Sequence, residues 1–299
     1  MVNKFDPQWL CFGESVQGAS HKRKSLPNQD AIKISFDRQL PIILAVSDGH
    51  GSAKSFRSQI GSEIAVNKAI EAIQELFPTI NEQIEQHSFR PFSETVNLLE
   101  NILPRKIVHQ WKECIDNQSA ITEEEWGNLE RQEGKKAKQL VVENLPIAYG
   151  ATLLCVFVTE LFILYLQLGD GDILCVNEEG QVTRPLPPDE RLLANETTSL
   201  CLKDAWKDFR IHLEPYPPGT TKKKPVLILV STDGYGNSYA SEEDLYEVAR
   251  EHLDRIRQFG VEKMENELSQ LLEEVSTKGS GDDITLGMIR QIEMNDPDA

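Results

Sequence analysis

A chain of 299 residues with 48 Asp and Glu against 31 Lys and Arg carries a formal net charge of −17, and 39% of it is hydrophobic. This supports a soluble globular protein with a substantial core; it argues against nucleic acid as a partner, because gripping a phosphate backbone requires a basic patch. Five cysteines without CxxC spacing, and an N-terminus lacking an apolar signal core, lead us to expect a reducing cytoplasmic setting and no secretion.

In chain order, residues 9–18 read as a first strand, followed by a loop over 21–28. Residues 31–36 and 42–46 are short apolar runs bounded by polar residues, so two more strands are expected, with Asp30 before one and Asp48 after the other. Beyond Gly49-His50-Gly51-Ser52 the period changes to four, through Phe56, Ile60 and Ile64. A long helix is expected there with Ser52 as its N-cap, and a second over 92–114. Residues 117–139 are rich in Glu, Lys and Gln, which suggests a solvated helical insertion at about 115–140.

Strands resume at 151–159, 161–168 and 173–176, read as a β-meander with turns at Thr159-Glu160 and Gly169-Asp170-Gly171-Asp172. The nearly continuous apolar run 153–168 is not read as a membrane span. Glu160 at its centre would cost roughly 2.5–3.5 kcal/mol on insertion, and its β-branched and aromatic residues favour two buried strands. Residues 183–224 form a Pro- and Thr-rich flap-like stretch with short strands expected near Leu200 and Ile211. A strand over 226–230 then delivers Ser231-Thr232-Asp233-Gly234, helices follow over 241–258 and 261–276, and 285–289 closes as a last strand. The order is α+β, without βαβ alternation. Two packed antiparallel sheets, a β-sandwich with helices on both outer faces, would bury every apolar run in one domain over 1–299.

Asp30, Asp48, Asp170, Asp233 and Asp282 each stand at the edge of an apolar run near a turn former. Singly, an Asp-Gly pair is an ordinary turn signal. Together, carboxylates on loops at one end of a sandwich can converge, and Mg²⁺ and Mn²⁺ are hard ions that favour such oxygen donors.

The ordered segments Asn28-Gln29-Asp30, Val46-Ser47-Asp48-Gly49-His50-Gly51, Gly150-Ala151-Thr152, Gly169-Asp170, Ser231-Thr232-Asp233-Gly234 and Asp282-Asp283-Ile284-Thr285 resemble the type 2C metal-dependent serine/threonine protein phosphatases, in a bacterial-like form. The resemblance implies a β-sandwich flanked by antiparallel helix pairs. It implies two Mn²⁺ or Mg²⁺ ions and, in some members, a third. Asp48 would bridge two ions, with the Gly49 carbonyl as a further ligand and Asp233 and Asp282 on the other ion. Asp30 would hold metal-bound water, and Asp170 would share the third ion with Asp233. His50 would serve as general acid. Phosphorylated proteins would be the substrates, attacked directly by a water bridging the two ions, with neither nucleic acid nor membrane as partner and the chain a monomer.

Three positions depart from the pattern. Ser25 stands where the family has a phosphate-gripping arginine, so Arg23 or Lys24 is the candidate, with Arg23 preferred for its planar fork. Asp283 follows Asp282 where Asn is common, so either of the pair is a candidate ligand, and Asp282 is taken by register. Asp172 occupies a frequent arginine position, either reinforcing a third metal site or ending a strand. A catalytically inactive metal-binding regulator and a two-metal hydrolase of another phosphoester remain as alternatives.

Overall fold

The strands that surround the aspartates alternate in the direction their side chains face, and this alternation builds four layers. The computed structural model describes residues 9–37, 39–86, 93–189, 197–292 and 296–297. Among these, one sheet comprises β1 (Trp9–Val16), β6 (Asp172–Val176), β7 (Val182–Thr183), β9 (Leu227–Ser231) and β10 (Ile284–Gln291), in the order β1-β10-β9-β6-β7. The other comprises β2 (Ala31–Ser35), β3 (Ile42–Ser47), β4 (Leu153–Val158), β5 (Phe162–Leu168) and β8 (Arg210–Pro215), in the order β2-β3-β4-β5-β8. Every neighbouring pair is antiparallel.

Leu44, Val46, Leu154, Val156 and Ile163 point between the sheets, where they meet Ile228, Val230 and Ile289. The intervening Ile43, Ala45, Cys155, Phe157 and Leu164 point outward, onto the helices α2 (Ser58–Gln86) and α4 (Leu103–Asp116). The apolar run 153–168 is therefore a hairpin buried on both faces, and no helix among the described residues is long and apolar enough to cross a membrane. The outer face of the first sheet carries Phe12, Leu174, Leu229, Leu286 and Met288, covered by α7 (Glu242–Phe259) and α8 (Val261–Lys278) through Leu245, Leu253, Met264 and Leu268. A fully buried Leu or Ile of this kind contributes about 1.5–3 kcal/mol.

Two glycines let layers approach where a side chain would not fit. A Cβ on Gly287 would lie 2.6 Å from Leu44 Cδ1, at the contact between the sheets. One on Gly61 of α2 would lie 1.8 Å from the carbonyl oxygen of Tyr149, and Trp111 Nε1 donates to the Gly61 carbonyl at 2.9 Å from the other side.

Several local expectations are corrected. Residues 151–176 are not a meander: β4 and β5 pair, but the chain crosses at Gly169–Gly171 so that β6 joins the opposite sheet beside β9. Apolar content along each strand cannot specify its partner, and both sheets offered similar faces. Residues 19–24 form a short helix, α1 (Ala19–Lys24), that takes up the first half of the expected loop. Leu200 lies in a turn, whereas a strand does run through Ile211. Ser52 makes no capping bond; a 3-10 turn, Ala53–Ser55, precedes α2. The second helix is broken into α3 (Ser93–Asn97), a π segment Leu98–Ile102 and α4, and Phe92, its expected start, lies outside the described residues. The expected insertion contains α5 (Glu123–Glu143), kinked at Gly134, with Leu129 and Val141 buried. The flap-like stretch includes residues 190–196, also outside the described residues.

Replacing Gly61 by Ala is expected to lower stability by at least about 2 kcal/mol, because a backbone carbonyl cannot move aside as a side-chain end can. The urea midpoint measures it, and an unchanged midpoint would contradict the tight approach.

Candidate metal centre

Strand register gathers the aspartates. Ala31 pairs with Ser47, which sets Asp30 and Asp48 side by side at the end of the β2–β3 ladder. Ser231 pairs with both Leu286 and Asp172, so the chain leaving β9 into the short helix α6 (Asp233–Gly236) emerges beside the start of β10 and the start of β6. Asp170 sits in the crossing between sheets. Carboxylate oxygens of Asp48, Asp170 and Asp233 consequently lie within 4.8 Å of one another. Asp30 is behind them, its Oδ2 accepting from the hydroxyls of Thr232 at 2.6 Å and Thr285 at 2.9 Å. Asp282, its side chain 54% exposed, lies on the rim and contributes to the negative field at Asp48 and Asp233.

This crowding opposes ionisation. Burial, then the charges of Asp30, Asp233, Asp170 and Asp282, push the Asp48 carboxyl well above the usual range. Burial and neighbouring aspartates raise Asp233 to about 6, and burial raises Asp30 to about 7 against the two threonine hydroxyls. A donor set that is entirely oxygen, gathered on loops and mutually repelling, fits a hard divalent cation, whose charge would relieve the repulsion.

Gly49 is fixed by its backbone: its N–H donates to the Gln29 carbonyl at 3.1 Å, and a Cβ there would lie 2.5 Å from that oxygen. His50 follows, with its N–H donating to the Gly150 carbonyl at 3.0 Å and its ring against Gly150, where a Cβ would lie 2.5 Å from His50 Cδ2. Burial lowers the His50 pKa, with Asp170 acting in the opposite sense. Arg23 is exposed on α1.

Asp282 and Asp283 have separate tasks. Asp283 is buried and accepts from the Gly18 N–H at 2.6 Å and the Gln29 N–H at 2.7 Å, with His21 Nδ1 at 2.8 Å. It thus ties three segments together and its oxygens are spent, whereas Asp282 keeps an exposed carboxylate. Asp172 is paired with Arg184, which also reaches Glu242 at 2.7 Å, so it is not a free addition to the acidic cluster. His21 and Arg184 had no sequence signal, since each is defined only by its partner in the fold, whereas Thr232 and Thr285 stood in the motif segments without any sign that Asp30 was their partner. For Asp283, position beside Asp282 was the signal.

The protein phosphatase 2C family profile matches residues 17–273. No curated protein matches. Among solved structures, the catalytic domain of the serine/threonine protein phosphatase PstP in complex with two manganese ions is similar at 14% identity and a TM-score of 0.53, over 96% of this chain and 100% of that one. The Mycobacterium tuberculosis phosphatase PstP/Ppp is similar at 13% identity and TM-score 0.52, over 96% of this chain and 100% of that one. The serine/threonine phosphatase Stp1 from Staphylococcus aureus gives 14% and 0.54, over 98% of each chain. At these identities the likeness establishes the shared fold.

Asp30 and Asp233 are raised to about 7 and about 6, and Asp48 well above the usual carboxylate range, so the stability of each protonated form is present below about pH 4 and lost as pH rises through that group's folded pKa. With divalent cations chelated, Asp48→Asn is expected to melt higher than the wild type at about pH 7.5, and the difference to shrink towards about pH 4. Thermal melts in EDTA across this range check it; a lower-melting variant at the alkaline end would contradict the repulsion.

Proposed function

This chain belongs to the protein phosphatase 2C family, which makes it a metal-dependent protein serine/threonine phosphatase, and from that premise we propose how its own residues divide the work. Asp48, the Gly49 carbonyl, Asp233 and Asp282 would hold two Mn²⁺ or Mg²⁺ ions. Asp170 would join Asp233 at a third, and Asp30 would support the set from behind. The observation that carries this assignment is the convergence of Asp48, Asp170 and Asp233 within 4.8 Å. When bound, such ions polarise a phosphoryl group and lower the pKa of a water that serves as nucleophile.

His50 is the proton donor in this scheme. Its imidazole lies within the field of Asp170 in the cluster and can protonate the leaving seryl or threonyl oxygen, which would otherwise depart as a strongly basic alkoxide. An entering phosphate dianion favours the imidazolium, countering the effect of burial. Arg23, on the helix whose Ser20 N–H donates to the Gly281 carbonyl at 2.8 Å, is assigned to the phosphate oxygens. No covalent intermediate on the chain is required. We further assign a monomer acting on phosphorylated proteins in the cytoplasm, a setting supported by five free cysteines.

Asp48→Asn and Asp233→Asn are each expected to abolish turnover of a phosphoserine peptide in Mn²⁺, a loss of at least about a thousandfold. Full activity in both would remove the assignment. Greater turnover of a phosphodiester than of the phosphopeptide would exclude protein substrates as the specific ones.

A further inference from the structure

The chain segment carrying Asp48, Gly49 and His50 is laid along the backbone of residues 147–152. Asp48 N–H donates to Thr152 Oγ1 at 3.0 Å, and Thr152 N–H returns to the Asp48 carbonyl at 2.8 Å. Gly49 bridges to Ala151, and the His50 N–H reaches the Gly150 carbonyl at 3.0 Å. Ser55 Oγ donates to the Ile147 carbonyl at 2.9 Å and the Arg57 N–H to the Ala148 carbonyl at 2.8 Å. The position of His50 is therefore inherited from the 147–152 strip.

The segment at the start of α5 reaches that strip through the side chain of Arg57. Arg57 is 8% exposed and uses all five of its N–H donors. Nε and Nη2 make a fork on Glu125 at 2.7 and 2.8 Å, Nη1 reaches the Ser119 carbonyl at 2.6 Å and Tyr149 OH at 2.8 Å, and Nη2 also reaches the Ala120 carbonyl at 3.1 Å. Glu125 is fixed in turn by the capping box at the start of α5, where Thr122 N–H donates to it at 2.8 Å and its own N–H donates to Thr122 Oγ1 at 3.2 Å. Trp126, the next residue of α5, packs edge-on against Phe56 at 6.0 Å, so the insertion grips the residue before Arg57 as well.

We infer that the insertion is a brace for the catalytic loop: Arg57, clamped by Glu125 and the Ser119 and Ala120 carbonyls, fixes Tyr149 and thereby the backbone strip that positions His50. Arg57, Glu125 and Tyr149 are positioning residues, and a guanidinium is required because a lysine cannot supply five donors in a fork. The kinetic part of this inference rests on His50 as proton donor.

Arg57→Ala would leave Glu125 without its partner and is a poor test, since the chain could simply fail to fold. Tyr149→Phe removes only the hydroxyl, and Glu125→Gln keeps the capping box while removing the charge. In both, amide hydrogen exchange over residues 49–56 is expected to quicken about tenfold while β3, β9 and β10 are unchanged. The kcat for a phosphoserine peptide is expected to fall about tenfold, and for p-nitrophenyl phosphate, whose leaving group needs no proton, by less than about threefold. Unchanged exchange over 49–56 in both variants overturns the brace. Faster exchange with unaltered kcat, or an equal fall for both substrates while His50→Ala discriminates between them, overturns the positioning role. If His50→Ala itself treats the two substrates alike, the proton-donor assignment fails, and the brace is then judged on exchange together with the phosphopeptide kcat.

Discussion

Like charges brought together against their repulsion are the constraint around which one end of the molecule is organised. Asp48, Asp170 and Asp233 do not approach because they attract; they approach because the ladders that carry them leave no other place for them. The stabilisation of those ladders comes from apolar side chains between and outside the sheets, well away from the carboxylates. Stability made in the core is thus partly spent at the loops, where it holds a charge set suited to divalent cations.

Around this cluster the polar contacts work by position. Thr232 and Thr285 share one oxygen of Asp30, each reaching it from the first sheet while Asp30 precedes a strand of the second. Asp283 joins the approach to α1, α1 itself and the approach to β2. Both arrangements cross between elements far apart in the chain, so a shift of either sheet would be felt at the carboxylates. Arg57 joins Tyr149 to Glu125 at the start of α5 on the other side. A 27-residue stretch rich in charge, 117–143, is thereby integrated with the centre while its outer surface stays solvated.

Much of the fold was legible locally. The alternating and all-apolar runs marked the strands, and the four-residue periods of α2, α7 and α8 marked the helices, because burial on one or both faces leaves a period in the sequence. Pairing was not legible. The turn at Gly169–Gly171 has the composition of a hairpin loop, yet it carries the chain between sheets, a choice that depends on which edge is vacant. Asp172 was open to two readings until Arg184, twelve residues on, was seen beside it.

By itself the sequence determined the main strands and the long helices, the family, and the aspartates standing at strand ends, since these follow from local pattern and motif order. Only the tertiary structure decided that Asp48, Asp170 and Asp233 form the tight group while Asp30 lies behind and Asp282 on the rim. It alone gave Asp283 its buried tie to Gly18 and Gln29 and connected Arg57 to Tyr149, because a carboxylate's availability and a guanidinium's partners are set by groups tens to hundreds of residues away.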